Sequence, residues 1–281
     1  AEKKGINPAN IVSVSVNPCT AKKAETKRVE ENAAARYYDD ESLGMDTDIS
    51  ITTREFIRWL NDEGVDFGSL EDSKFDDLIG METGASIIFG NTGGVMEAAM
   101  RTAYKLITDK EPPPYALTHL EDVRGMNGVK EATVQLGDDV TLSVAVVHGG
   151  KNTRDFLNTL KENGKHYDFI EVMACPGGCI GGGGQPRVKL PMADKAREAR
   201  IASLYTRDAE VKVKAACDNP DIQKLYAEFF DGKPMSHKAH HMLHTTFVSR
   251  AEDLGPNGAC TPATCPTSVP NLKKAAEAAK A

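Results

Sequence analysis

The sequence predicts an α/β fold with parallel-sheet lobes flanked by helices. Three β-branched runs, Ile11–Val16, Asp48–Ile51 and Val140–Val147, each end in a polar or glycine-containing turn. Helical patterns follow the last two runs, over Thr52–Leu60 and Thr153–Leu160. Strands that alternate with helices are typical of a largely parallel sheet.

A fourth predicted strand, Tyr167–Met173, runs directly into Cys175. In open α/β sheets the functional crevice lies beyond the carboxyl ends of the strands. Cys19 also follows a strand, so two segments that are distant in sequence are expected to converge on one site. A glycine-rich turn before Val95–Ile107 predicts a helix start at which backbone approaches closely, and residues 192–245 have a helical, charged composition.

Composition excludes several classes of partner. The 281 residues can bury a sizeable core, and the formal charge of -7 with a pI near 5.6 disfavours nucleic acid and anionic membranes. The sequence has no apolar run near 18 residues, which excludes a membrane span, and no signal-peptide pattern at its start. Six cysteines without a secretory pattern predict a cytoplasmic protein.

The segment Cys175-Pro-Gly-Gly-Cys179 is a C-x-x-x-C pair followed by Ile180 and four glycines. This spacing differs from the C-x-x-C of zinc ribbons and thioredoxin-like loops. Two thiolates with side-chain-free backbone around them suit an iron–sulfur cluster, which needs peptide N–H groups directed at sulfur. The alternative is a glycine-rich surface loop that contains two cysteines by chance.

Cys19 lies in the segment Asn17-Pro-Cys-Thr-Ala-Lys-Lys23, with lysines three and four residues after it. Positive charge favours the thiolate form of cysteine. A single cysteine at a strand end is more often a packing residue. The interpretation of Cys19 as a ligand therefore depends on the resemblance of this segment to a family motif.

The chain resembles the catalytic domain of iron-only (FeFe) hydrogenases over roughly residues 1–247. The family pattern E-x-M-A-C-x-x-G-C-x-x-G-G-G-Q-P is complete from Glu171 to Pro186, and M-P-C-x-x-K-K-x-E is matched from Pro18 to Glu25. Asn17 stands where the family usually has methionine. Further similar stretches are 52–55, 89–99, 121–125 and 239–244.

The resemblance implies a cluster between two lobes of the fold, in which a 4Fe-4S cubane is joined to a diiron subcluster with CO, CN and a bridging dithiolate (the H-cluster). It assigns metal ligation to Cys19, Cys175 and Cys179, with Cys179 as the bridge. It also assigns cyanide binding to Lys22 and a pocket to Met173 and four more residues: Asn17, Pro18, Phe89 and Gly90.

The family's T-S-C-C-P motif, which supplies the fourth cubane ligand and a proton-passing thiol, does not occur in this sequence. The expected source of that ligand is a partner chain or an upstream segment. A less favoured source is Cys265, within Thr264-Cys-Pro266. An electron-transfer protein or subunit is the other expected partner.

Residues 1–247 are therefore predicted to be the C-terminal part of the catalytic domain, including its terminal helical segment, and residues 248–281 a Pro/Thr-rich tail. His237, His240, His241 and His244 have helical spacing that could suggest zinc, but part of this run matches a family helix without metal. The Gly90–Gly94 turn hints at phosphate binding, although a cluster pocket is favoured. Cys217 and Cys260 are interpreted as structural.

The predicted function is reversible oxidation of dihydrogen to protons and electrons. The alternative is a non-catalytic redox or hydrogen sensor, or an Fe–S assembly protein, that holds only a 4Fe-4S cluster. Asn17 and the absent T-S-C-C-P motif favour the alternative, whereas the complete Glu171–Pro186 segment favours the enzyme.

Overall fold

The computed structural model describes residues 1–76, 79–110 and 123–245. Its chain forms two compact units. One contains Ala1–Ser13, Ala21–Ile49 and the described residues from His237 onward, and the other contains Val14–Thr20 and Ser50–Ser236. The predicted tail, Cys260 and Cys265 lie outside the described residues.

The described residues form two sheets. The smaller sheet pairs β1 (Val14–Asn17) with β2 (Ile49–Thr52), and the larger has the order β3-β4-β5. The larger sheet consists of β3 (Val129–Leu136), β4 (Val140–His148) and β5 (Phe169–Met173). Strands β4 and β5 run parallel, with His148 beside Met173 at their carboxyl ends. The predicted parallel pairing is confirmed for these two strands.

Strand β3 was not predicted, and it pairs antiparallel with β4 from Val129 beside Val147 to Leu136 beside Val140. Its burial alternates along most of its length, and a tight turn that includes Gly137 leads into β4. The helical crossover between β4 and β5 is α6 (Gly150–Asn163). The larger sheet is therefore mixed, because a hairpin extends a parallel pair.

The remaining helices of the described residues divide between the two units. The first unit contains α1, α2 and α9, and the second contains α3, α4, α5, α7 and α8. Their bounds are α1 (Lys22–Glu25), α2 (Ala33–Tyr38), α3 (Thr53–Asp62), α4 (Gly84–Ile88), α5 (Gly94–Thr108), α7 (Ala193–Glu210), α8 (Pro220–Phe229) and α9 (His237–Leu243). No helix in the described ranges has both the length and the apolar character that crossing a bilayer requires.

The core of the second unit lies between α5 and the larger sheet. Met96 and Met100 of α5 pack against Val134 and Leu136 of β3 and Val144 of β4. All of these side chains are buried. Removing their apolar surface from water stabilises the unit and fixes the start of α5 over the carboxyl end of β5.

A buried ion network ties α5 to α7. Arg101 of α5 donates to Glu97 at 2.8 Å and to both carboxylate oxygens of Asp208 at 2.8 Å. Glu97 also accepts from Arg124 and from the hydroxyl of Tyr205 at 3.1 Å. Burial raises the pKa of Tyr205, and Glu97 raises it further, so this hydroxyl stays a donor.

Replacing Arg101 with methionine is expected to destabilise the chain by about 3–5 kcal/mol, because Glu97 and Asp208 would be left buried with less compensating charge. The measurement is urea unfolding of the full chain. Arg207→Met is the matched control, since Arg207 pairs with Glu82 and Glu210 at the surface and its loss should cost about 1 kcal/mol or less. Equal losses in the two variants would contradict the assignment.

Candidate metal centre

The Cys175–Cys179 loop starts just beyond the carboxyl end of β5. Cys175 is partly buried, Gly177 and Gly178 are buried, and Cys179 is exposed. Gly177 and Gly178 have φ angles of 80° and 92°, a left-handed region that L side chains rarely adopt. The loop can therefore turn tightly between its two cysteines only because glycines separate them.

This loop lies against the turn that precedes α5. The N–H of Thr92 donates to Gly177 O at 3.0 Å, and the N–H of Ile180 donates to Gly90 O at 3.1 Å. A Cβ on Gly178 would stand 2.7 Å from Thr92 N and 2.8 Å from Gly90 O. The two backbones touch directly, with no room for a side chain.

The end of β1 approaches the glycines that follow Cys179. Gly184 N–H donates to Pro18 O at 2.9 Å, and a Cβ on Gly182 would lie 2.2 Å from the same oxygen. This approach brings the Cys19 segment beside the Cys175–Cys179 loop. Because β1 and β5 belong to different sheets, glycine-mediated backbone contact and not a shared sheet edge produces the expected convergence.

Cys19 and Cys175 are close enough for their thiols to interact electrostatically. Burial raises the pKa of Cys175, Cys19 raises it further, and Arg197 opposes both. The protonated form of the Cys175 thiol is therefore favoured, and binding of a metal would displace that proton. Within the described residues, no three histidine, cysteine or acidic side chains close around a single metal ion.

The other predicted site residues are placed as follows. Met173 Sδ lies 2.8 Å from where a Gly178 Cβ would stand, so Met173 lines the loop. Phe89 ends α4 and is half exposed. Asn17 turns its amide back onto β1, donating to Ser15 Oγ at 3.0 Å. Lys22 belongs to the first unit, where its ammonium pairs with Glu25.

A layer of buried titratable side chains lies at the base of the site and was not assigned from the sequence. It comprises Lys130 of β3, His148 of β4 and Glu171 of β5, one from each strand of the larger sheet. Lys130 Nζ donates to Gly125 O at 3.0 Å and to Thr92 Oγ1 at 3.2 Å. A charged residue at a buried strand position was the available signal for Lys130.

The side chain of Glu171, from β5, lies at the N-terminus of α5. Its carboxylate accepts from the N–H groups of Gly93 at 2.6 Å and Met96 at 2.8 Å. Burial raises the pKa of Glu171, while these N–H groups and Lys130 oppose the rise. Because the protein's own carboxylate already uses these N–H groups, the turn before α5 is not a phosphate site.

Two arginines of α7 contact the loop. Arg200 donates to Ile180 O and to Pro186 O, both at 2.9 Å. Arg197 lies against Gly181, since its Nε is 3.2 Å from where a Cβ on that glycine would stand. The sequence shows them only as an i, i+3 pair in a charged helix. Together they place positive charge beside the thiols.

The histidine run of the first unit does not form a zinc site in the described residues. His240 and His244 share a hydrogen bond between their Nδ1 atoms at 2.8 Å, and His237 stacks on His241. Each ring thus has a neighbour of its own kind. The interpretation of this run as a helix without metal stays a prediction.

Comparison with known families decides what this site belongs to. Residues 1–183 match the family described as "Iron only hydrogenase large subunit, C-terminal domain". The chain belongs to the iron-only hydrogenase family. Residues 194–250 match "Iron hydrogenase small subunit", so this single chain carries both matches.

Relatives within the family differ in their described roles. The chain is 43% identical over 250 residues to NADP-reducing hydrogenase subunit HndD of Solidesulfovibrio fructosivorans, covering 89% of this chain and 40% of that protein. It is 31% identical over 256 residues to cytosolic iron-sulfur assembly component 3 of Rattus norvegicus, covering 88% and 49%. The chain thus spans less than half the length of either relative.

The fold is shared with solved structures of the family. A structure of apo [FeFe]-hydrogenase HydA1 from Chlamydomonas reinhardtii is similar with a TM-score of 0.69 and 36% identity. The similarity covers 88% of this chain and 65% of that one. The predicted α/β fold, as part of the iron-only hydrogenase fold, is confirmed.

Gly184→Ala is expected to destabilise the chain by about 1–3 kcal/mol and to lower its iron content, because the new Cβ would stand 2.8 Å from Thr52 Cβ and 2.9 Å from Pro18 C. Thermal unfolding and iron per chain are measured together. Gly150→Ala is the control, since nothing lies within 4 Å of its Cβ position at the start of α6. A control that loses as much iron would refute the steric account.

Lys130→Met tests the buried layer through pH. Burial lowers the pKa of Lys130 from 10.5 to about 8. Between these values the unfolded chain binds more protons, so this group makes the free energy of unfolding rise with pH. The wild type should gain stability relative to Lys130→Met between pH 8 and about 10. Lys151→Met is the control at an exposed lysine, and the wild type should show no such gain relative to it. If the stability of Lys130→Met varied with pH in parallel with that of the wild type, the effect would be excluded.

Proposed function

We propose that this chain is the catalytic-site portion of an iron-only hydrogenase, which interconverts dihydrogen with two protons and two electrons. The observation that carries the proposal is the meeting of the Cys19 segment, the Cys175–Cys179 loop and the turn at Gly90–Thr92, backbone against backbone. Three thiols from two such segments suit a cluster better than a single ion. Membership of the iron-only hydrogenase family also supports the proposal.

The arrangement fits an iron–sulfur group. The thiols supply soft ligands, the glycines let the three backbone segments approach closely, and Arg197 and Arg200 supply positive charge against an anionic cluster. The amide of the fully buried Asn91 finds no hydrogen-bond partner among the described residues. A buried amide of this kind beside the loop is a position where a bound group or an ordered water supplies the partner.

In this proposal Cys19, Cys175 and Cys179 would hold a 4Fe-4S cubane, and Cys179 would also bind a diiron unit that carries CO, CN and a dithiolate. When bound, this group would supply the redox chemistry that interconverts dihydrogen with protons and electrons. Met173, Pro18, Phe89 and Gly90 would line its pocket. The role of Lys22 as a hydrogen-bond donor to a cyanide stays a prediction. A partner chain or further segment provides the fourth thiolate, with Cys265 as the less favoured source.

An electron-transfer protein or subunit, in a reducing cytoplasm, completes this proposal. The support for the compartment is that Cys19, Cys175, Cys179 and Cys217 form no disulfide within the described residues. Cysteines that remain outside disulfides are typical of reducing compartments.

A second candidate function is a non-catalytic Fe–S protein of the assembly or sensor type. Asn17 favours it, because its amide bonds to Ser15 where the family pattern has a thioether. The similarity to an iron-sulfur assembly component also favours it. The two candidates differ in the diiron unit, and both use the cubane.

The cysteine ligands are tested by substitution in the full chain, reconstituted with iron and sulfide. Cys19→Ala, Cys175→Ala and Cys179→Ala are each expected to lose most of the bound iron, because a cubane short of another thiolate is exposed to loss. Cys217→Ala, at a partly buried cysteine outside the site, should retain it. Iron and acid-labile sulfide per chain are the readouts, and full iron in the three site variants would overturn the ligand assignment.

Infrared spectroscopy of the matured protein separates the two functions. Bands of bound carbon monoxide and cyanide are expected for the hydrogenase. A cluster-loaded protein without these bands after maturation would establish the second candidate instead. Cys265→Ser identifies the fourth ligand, since loss of cubane iron would place Cys265 at the cluster and unchanged iron would assign the ligand elsewhere.

A further inference from the structure

His148 ends β4 with its ring buried beside the Cys175–Cys179 loop. Its Nδ1 accepts the N–H of Gly177 at 3.1 Å, and its Nε2 lies 3.2 Å from Met126 O. A carbonyl oxygen can only accept, so Nε2 carries the proton and Nδ1 keeps its lone pair. Only this neutral tautomer satisfies both ring nitrogens.

The surroundings favour the neutral ring. Burial lowers the pKa of His148, and the charges of Lys130 from β3 and Arg197 from α7 lower it further. The backbone of His148 is held as well, because its carbonyl accepts from Asn152 Nδ2 at 2.8 Å and its N–H donates to Gly128 O at 3.0 Å. The imidazole is therefore a fixed acceptor at a fixed place.

Gly177 lies two residues from each loop cysteine. Its N–H is held by His148, and its carbonyl is held by the N–H of Thr92 at 3.0 Å. Both peptide groups that flank Gly177 are thus tied to the scaffold. Because the Gly177 N–H donates to His148, it does not donate to a cysteine sulfur. Hydrogen bonds from peptide N–H groups to sulfur are among the factors that set the reduction potential of a cluster.

We infer that His148 is a positioning residue that withholds the Gly177 N–H from the cluster and thereby keeps the cluster's reduction potential low. This inference rests on the proposed function. Fewer N–H donors to sulfur leave the reduced, more negative cluster less stabilised, which lowers its potential. Loss of the imidazole acceptor would let the N–H turn towards sulfur and raise the potential.

Two substitutions separate the ring's two contacts. In His148→Asn the side-chain oxygen takes the place of Nδ1 and can still accept from Gly177, whereas the Met126 contact is lost. In His148→Gln the amide nitrogen takes the place of Nε2 and can still donate to Met126, whereas the Gly177 acceptor is lost. His148→Ala removes both. If the ring had a purely structural role, the Asn variant would not behave more like the wild type than the Gln variant does.

The first measurement is hydrogen exchange of the Gly177 amide in the full chain without metal. Exchange should be near the wild-type rate in His148→Asn and roughly fivefold faster in His148→Gln and His148→Ala, the factor expected for loss of one hydrogen bond. Equal exchange in Asn and Gln variants would overturn the inference. This arm does not depend on the cluster.

The second measurement is a redox titration of the reconstituted cluster followed by electron paramagnetic resonance. The midpoint potential should shift positive in His148→Gln and His148→Ala and stay at the wild-type value in His148→Asn. Unchanged potentials with altered Gly177 exchange would overturn the tuning role of His148. A wild type that takes up no iron would instead refute the proposed function and the tuning role with it, while the exchange arm would still decide the hydrogen bond.

Discussion

The close approach of three backbone segments is the constraint on which the site depends. The Cys175–Cys179 loop touches the turn at Gly90–Thr92 through two peptide hydrogen bonds, and the glycines after it touch Pro18 through one more. At Gly178 and Gly182 a single Cβ would stand 2.8 Å or less from backbone atoms of the neighbouring segment. The thiols can converge because the segments between them carry no side chains at the contact points.

The larger sheet stabilises the contact between these segments through buried titratable side chains as well as through apolar packing. Lys130, His148 and Glu171 reach, respectively, Thr92, Gly177 and Gly93, so each strand fixes a different point of the two apposed segments. Burying these groups costs free energy, and their hydrogen bonds to backbone offset that cost. The hydrogen bonds of these three side chains therefore hold the loop and the turn before α5 in defined positions on the sheet.

The sequence predicted the elements whose periodicity is strong and the loop whose residue types are specific. Strands β4 and β5 and helix α5 lie within a few residues of the predicted bounds, and the family membership that Glu171–Pro186 indicated is confirmed. Strand β3 was missed although its apolar residues alternate from Ala132 to Leu136. Its short turn to β4 makes a hairpin, whereas the predicted α/β pattern places a helix between successive strands.

The supporting residues were harder to predict because their roles depend on tertiary contacts. Nothing in the spacing of His148 and Gly177 indicates that an imidazole nitrogen accepts that particular N–H, since 28 residues and a crossover helix separate them along the chain. The Glu171 carboxylate shows the same limitation. Its place in a motif marks it as important, but only the position of α5 over β5 explains it, because the helix N-terminus needs an anion there and the protein provides its own. Residue types thus predict the ligands of a cluster, whereas the arrangement of strand ends determines which N–H groups remain available to it.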